Sequence, residues 1–243
     1  DLIESAGGVT VDLSRRPGGV SGALVPTVDT FKQYYHAEAV ATEQLSLHLA
    51  KAVAGPEGVR TAVDKALREV LTAPRKAEIV LRDADRGRAR LARHVRARSL
   101  WDFRRIEGGL DDVDLIIGGL VLKYGASHPY ILTADADECL DAMARANLVD
   151  ETHTEELKST RAFWMRMLSV QGLTGWLDPE TAPPSARLSA LIAKAAGVGD
   201  FSQVEPLIRG HADRANVLYN HLILGRDGRQ AASPHGVRMG VAH

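Results

Sequence analysis

Val9-Thr10-Val11-Asp12-Leu13-Ser14-Arg15-Arg16-Pro17-Gly18-Gly19 is the stretch on which the reading of the fold turns. Strand side chains alternate between two faces, so Val9, Val11 and Leu13 point one way and Thr10, Asp12 and Ser14 the other. Pro17-Gly18-Gly19 then ends the strand in a turn, and Val20-Ser21-Gly22-Ala23-Leu24-Val25 reads as a second extended arm. Residues 9–25 are thus expected to form a hairpin. Two strands alone are marginal in water, and no third strand is legible downstream, so the hairpin reads as the edge of a sheet whose remainder is elsewhere. The chain opens on Asp1 rather than Met, which fits a piece of something longer.

Beyond Pro26 the hydrophobic period changes from two to about 3.6, the helical repeat. The periodicity predicts a helix from about 29 to the Gly55-Pro56 break, then helices over 57–73, 76–96 and 110–124. Thr133 is expected to cap the next one, and others follow over about 152–171, 186–196 and 202–224. Glycines and prolines between 172 and 185 mark a loop. The expected architecture is mainly α, a helical bundle preceded by a β-hairpin. The divisions are 1–27 for the hairpin, 28–224 for the helical domain and 225–243 for a flexible tail.

The chain has 243 residues, enough for a real core, with 45% hydrophobic and 25% charged residues and a formal net charge of −1. A balance so close to zero gives no bulk field toward nucleic acid or membrane. Locally the balance breaks: residues 75–105 carry eleven Lys/Arg against four acids. A single cysteine, Cys139, excludes an internal disulfide and a cysteine-based zinc site. No apolar run approaches a membrane span and no signal-peptide pattern is present, so the expected setting is the cytoplasm.

Several clusters invite a chemical reading. Asp135-Ala136-Asp137 has the spacing of a paired-carboxylate metal motif, yet it opens a helix, where residues two apart do not share a face and acids are favoured by the helix dipole. Asp83-Ala84-Asp85 is explained by pairing with nearby arginines. Asp111, Asp112 and Asp114 follow Gly108-Gly109, as acids do at a helix start; alternatively one of them faces a cleft and orients an arginine or a substrate. Arg82, Arg86, Arg90 and Arg93 line one side of a helix, either as a solvated face or as a dock for an acidic partner or nucleotide phosphates. The patch offers no stacking platform of the kind single-stranded nucleic acid requires. His211 lies on the inward stripe of the last helix and reads as a hydrogen-bonded core histidine, and Trp164, Met165 and Met167 read as core.

Taken together these residues resemble the glutamine synthetase adenylyltransferase/adenylyl-removing enzymes, whose heads end roughly in V-D-x-R-L-R-P-x-G-x-x-G-x-L-V. Asp12, Arg16, Pro17, Gly19, Gly22, Leu24 and Val25 match that pattern. Phe31, Tyr34, Glu38 to Glu43 and Ala52-Val53-Ala54-Gly55 are similar to the family's next helix. Trp101-Asp102-Phe103-Arg104 and Gly108-Gly109-Leu110-Asp111-Asp112-Val113-Asp114 resemble W-D-L-K-x-x-P-G-G-L-V-D-I-E, and His128-Pro129, Ala182-Pro183 and Asp200-Phe201 are further likenesses. The last of these lean toward the C-terminal, transferase half. The chain is divergent: Ser14, Arg15, Val40, Thr42, Leu49, Glu107 and Asp114 depart from the pattern.

The resemblance implies that the hairpin closes a nucleotidyltransferase head and that Asp12 is the third of three metal-binding, catalytic aspartates. The first two would lie before residue 1 or be lost. It implies Mg2+ and ATP in the complete enzyme, with none bound to this stretch alone. Arg16 and Arg104 become candidate phosphate- or nucleotide-binding cations, and Asp112, Asp114, Arg86 and Arg90 candidate cleft- or partner-facing residues. The implied partners are glutamine synthetase and a PII-type signal protein. The activity implied is addition of AMP to, and removal from, a glutamine synthetase tyrosine. A non-catalytic helical module docking one of those partners is the alternative, and an RNA-contacting domain a third.

Overall fold

Gly109, itself extended, closes a run of turns, and Leu110-Asp111-Asp112-Val113 then begins the helix around which the others are arranged. A computed structural model describes residues 16–226 except 95, 178 and 181. In chain order its α-helices are α1 (Val28–Ala37), α2 (Ala41–Leu45), α3 (Glu57–Leu71), α4 (Ala77–His94), α5 (Leu110–Tyr124), α6 (Ala136–Arg145), α7 (Glu151–Thr174), α8 (Ala186–Ala196) and α9 (Val204–Leu222). Short 3-10 turns at Ser46–Leu49, Pro129–Ile131 and Phe201–Gln203 join them. The mainly helical class read from the periodicity is what the structure shows.

Helix α5 is the centre because it is apolar nearly all round. Val113, Ile116, Ile117, Leu120 and Val121 are almost fully buried, as expected of a helix without a solvent face. Helices α2, α4, α7 and α9 pack on it. Gly118 lets the carbonyl of Leu45 come so close that a side chain there would meet it at 2.5 Å. The segment 99–109 folds back on the start of α5, with Leu110 N donating to Phe103 O at 2.9 Å and Asp111 N to Arg104 O at 3.1 Å. Its aromatic residues anchor it: Trp101 stacks on Phe201 at 5.6 Å between centroids and Phe103 on Trp164 at 5.9 Å.

The hairpin is a correction. Its first arm, 9–15, lies outside the described residues, but the second does not form a strand, and no strand occurs among the described residues. Gly19–Ser21 is instead a 3-10 turn. Gly18 at φ 76° and Gly19 at φ 58° are left-handed, which breaks the extended backbone where the arm was to begin. Arg16 then takes two carbonyls for itself, Nη2 donating to Val20 O at 2.9 Å and Nε to Gly22 O at 3.1 Å. Val20, Leu24 and Val25 are left exposed.

Two boundaries also differ. The helix expected from 29 to 55 stops at Ala37, because Glu43 turns back to accept from Val40 N at 3.0 Å and begins α2 afresh. Asp135, not Thr133, caps α6: its Oδ1 accepts from Asp137 N at 2.9 Å and Glu138 N at 3.1 Å. That is the helix-start reading of Asp135-Ala136-Asp137. The 227–243 portion of the expected tail lies outside the described residues.

Candidate functional site

Val80, Ala84 and Arg88 fall at i, i+4 and i+8 on α4, on one face of the helix. The first two are buried, so the third is carried inward. There Arg88 meets Asp112 of α5 side-on, Nε to Oδ1 at 2.7 Å and Nη2 to Oδ2 at 2.6 Å. Such a two-pronged pair is the geometry an Arg and a carboxylate favour most. Its side chains are only 21% and 13% exposed. Nη2 also donates to Asn216 Oδ1 at 2.9 Å, and the guanidinium carbon sits 4.1 Å over the Tyr219 ring. Burial works against the Arg88 charge, but the Asp112 carboxylate more than offsets it and raises the pKa above the ordinary value.

The network extends in both directions. Tyr219 donates to Asp85 Oδ1 at 2.8 Å, and burial followed by that carboxylate raises the phenol pKa. Asp112 Oδ2 accepts from Gly108 N at 2.7 Å, while Gly108 O accepts from Trp164 Nε1 at 3.2 Å. Gly108 has φ 79°, and a side chain there would run into the backbone of Ala212. Only glycine meets both demands. α4, α5, α7, α9 and the 99–109 segment therefore share one polar junction.

Beside this junction lies a cavity of about 460 Å3 between α4, the Arg104–Glu107 loop and the first turn of α5. Ala89, Ala92, Ile106 and Leu115 are among the residues that line it. Arg104 and Asp111, paired at 2.9 Å, stand in its wall with Asp85 and Asp112. The structure thus brings two of the expected residues, Arg104 and Asp112, to one cavity.

The others lie apart. Asp114 does not face this cavity; it pairs with Arg161 of α7, Nε to Oδ1 at 2.9 Å. Beside that pair is His48, 6% exposed. Its Nδ1 bonds Leu45 O at 2.8 Å, and Nε2 is buried with no partner. Burial lowers the His48 pKa; Leu45 O and Asp114 oppose that and Arg161 adds to it. Arg86 and Arg90 are on the outer face of α4. Arg16 braces the opening turn, and Asp12 lies outside the described residues. Among the described residues no group of three or more His, Cys, Asp or Glu is placed to hold a metal ion.

His211 behaves as read, and of the aspartate pair Asp83 does, whereas Asp85 accepts from the Tyr219 hydroxyl rather than from an arginine. His211 stacks on Phe163 at 4.1 Å, lies 3.3 Å from Thr160 Oγ1, and is pushed down to about 4 by burial and then by Arg214 and Arg166. Asp83 accepts from Arg82 at 3.2 Å. Trp164 and Met167 are core, but Met165 is 43% exposed. Arg88 lies off the regular arginine row, and its i, i+4 register with Val80 and Ala84 is the sequence signal that marks it out.

Fold and junction define a helical domain arranged around α5. Residues 3–66 match the family model described as glutamate-ammonia ligase adenylyltransferase. Similar curated proteins are bifunctional glutamine synthetase adenylyltransferase/adenylyl-removing enzymes. That of Rhodopseudomonas palustris (strain TIE-1) is 27% identical over 219 residues, 89% of this chain and 22% of the relative. That of Mesorhizobium japonicum is 30% identical over 217 residues, 88% of this chain and 21% of the relative. That of Bradyrhizobium sp. (strain BTAi1 / ATCC BAA-1182) is 24% identical over 215 residues, 88% of this chain and 22% of the relative. The chain is similar to these enzymes along nearly nine-tenths of its own length, and it spans about a fifth of the length of the curated relatives it matches. No helix among the described residues is long and apolar enough to cross a membrane.

Proposed function

We propose that this chain is the end of a nucleotidyltransferase head and the helical domain behind it, from the transferase half of an enzyme that adds AMP to a glutamine synthetase tyrosine and removes it. The observation that carries this reading is the similarity of nearly nine-tenths of the chain to such enzymes. In this reading Asp12 is the last metal-binding aspartate of the head, and the cytoplasm is where the enzyme works.

In this reading Mg2+ and ATP are held by the complete enzyme. The role of Arg16 is to hold the closing turn. Its guanidinium binds Val20 O and Gly22 O. On α1, Tyr34 donates to Glu43 at 2.9 Å. Arg104, held by Asp111, and Asp112, held by Arg88, act as positioning residues of the junction.

This stretch alone transfers no AMP. Incubation with labelled ATP, magnesium and purified glutamine synthetase is expected to leave the synthetase unlabelled, and incorporated label would contradict that. The alternative, a module that docks glutamine synthetase or a PII-type protein without chemistry, predicts capture of one of them that survives Asp12→Ala.

A further inference from the structure

The outer face of α4 carries Arg82, Arg86, Arg90 and Arg93, all exposed. Arg82 and Arg86 are 54% and 69% exposed and share one carboxylate, Asp83, at 3.2 and 3.9 Å. Arg90 and Arg93 make no hydrogen bond or ion pair among the described residues. From Arg86 to His94 the helix contains four arginines and no acid.

An ordinary solvated helix face does not look like this. Arg82/Arg86 and Arg86/Arg90 are like charges at i, i+4, each of which disfavours the helix. A solvated face normally alternates sign at that spacing, as Glu205 and Arg209 do on α9 at 2.7 Å. The opposite face of α4 is occupied: Gly87 packs against Thr42 of α2, and Arg88 is in the junction. The row therefore points away from the bundle.

We propose that this row is a docking surface for an acidic helix of a partner protein. Its arginines rise about 6, 6 and 4.5 Å in succession, at 1.5 Å per residue. Carboxylates repeated every three or four residues on a second helix have the same rise, so two helices laid side by side match charge for charge. Ala89, exposed beside the row, lets such a helix lie close. RNA is the weaker match because the row carries no aromatic side chain on which bases stack. This inference does not depend on the reading of the chain as part of an adenylyltransferase.

The test is fluorescence anisotropy on the full chain at low salt with three probes: an alanine-based helical peptide bearing glutamate every fourth residue, the same peptide with glutamine, and a single-stranded oligouridylate. The Glu peptide is expected to bind more tightly than either of the others. Arg86→Glu with Arg90→Glu is expected to weaken it by at least about tenfold, equivalent to 1.4 kcal/mol. Arg60→Glu with Arg209→Glu, equal in charge but on other helices, is expected to change it less than about twofold. Circular dichroism checks that both variants fold, which their exposed positions allow. Equal loss in the two double variants, equal binding of the Gln peptide, or tighter binding of the RNA would each overturn the proposal.

Discussion

Asp112 holds Arg88 with both oxygens, at 2.7 and 2.6 Å, and with Oδ2 also fixes the Gly108 backbone N–H at 2.7 Å. One carboxylate thus ties α4 to α5 and pins the loop that leads into α5. Removing one partner of such a pair strands the other charge in the interior. Asp112→Ala should lose about 3–5 kcal/mol in urea denaturation. Arg88→Met combined with Asp112→Leu should recover much of that loss, because no unpaired charge remains. Additive losses in the double variant would show that the pair is not the source.

Gly108 and Gly55 separate backbone strain from crowding. Both have positive φ, 79° and 114°, but a side chain at Gly108 meets Ala212 whereas at Gly55 nothing lies within 4 Å. Gly55→Ala should cost about 1 kcal/mol, the conformational term alone. Gly108→Ala should add about 1–3 kcal/mol of overpacking. Comparable melting temperatures for the two variants would contradict the close approach of α9 to this loop.

His48 and His211 make stability depend on pH in one direction. Both have folded pKa values below the ordinary 6.5, His211 at about 4. The unfolded chain therefore takes up protons first as pH falls. The stability they give is complete above about pH 6.5 and drains away below it, through the window down to about 4 for His211. His211→Phe, which keeps the stacking on Phe163, should flatten the fall in melting temperature between pH 6.5 and 4.5. A slope unchanged from the parent chain would place the acid sensitivity elsewhere.

Asp135 distinguishes a helix cap from a metal ligand. As a cap, Asp135→Ala should cost about 1 kcal/mol. Because the side chain is engaged with Asp137 N and Glu138 N, millimolar magnesium should leave the melting temperature of the parent and of the variant equally unmoved. A magnesium-dependent rise in the parent alone would restore the metal reading.

Helices with a strong apolar register were legible from the residues. α5 announced itself through Gly108-Gly109, the acids behind them and an apolar run that could only be interior. What escaped was decided by contacts between distant segments. The break before α2 depends on Glu43 returning to Val40 N and on Tyr34 reaching it from α1. The opening turn takes its shape from Arg16 capturing carbonyls that a β-ladder needs, which alternation of side chains does not reveal. Asp114 shares a segment with Asp112 but is two residues on, so the helix turns it toward Arg161 and away from the cavity.

The most direct test of the account is AMP transfer by the complete enzyme that carries this segment, read as an AMP adduct on a glutamine synthetase tyrosine by mass spectrometry. With ATP and magnesium, the parent enzyme is expected to form the adduct. Asp12→Asn is expected to lower its rate by about a hundredfold or more, a loss of roughly 3 kcal/mol of transition-state stabilisation. No adduct with the parent enzyme, or the same rate in the variant, would contradict the account.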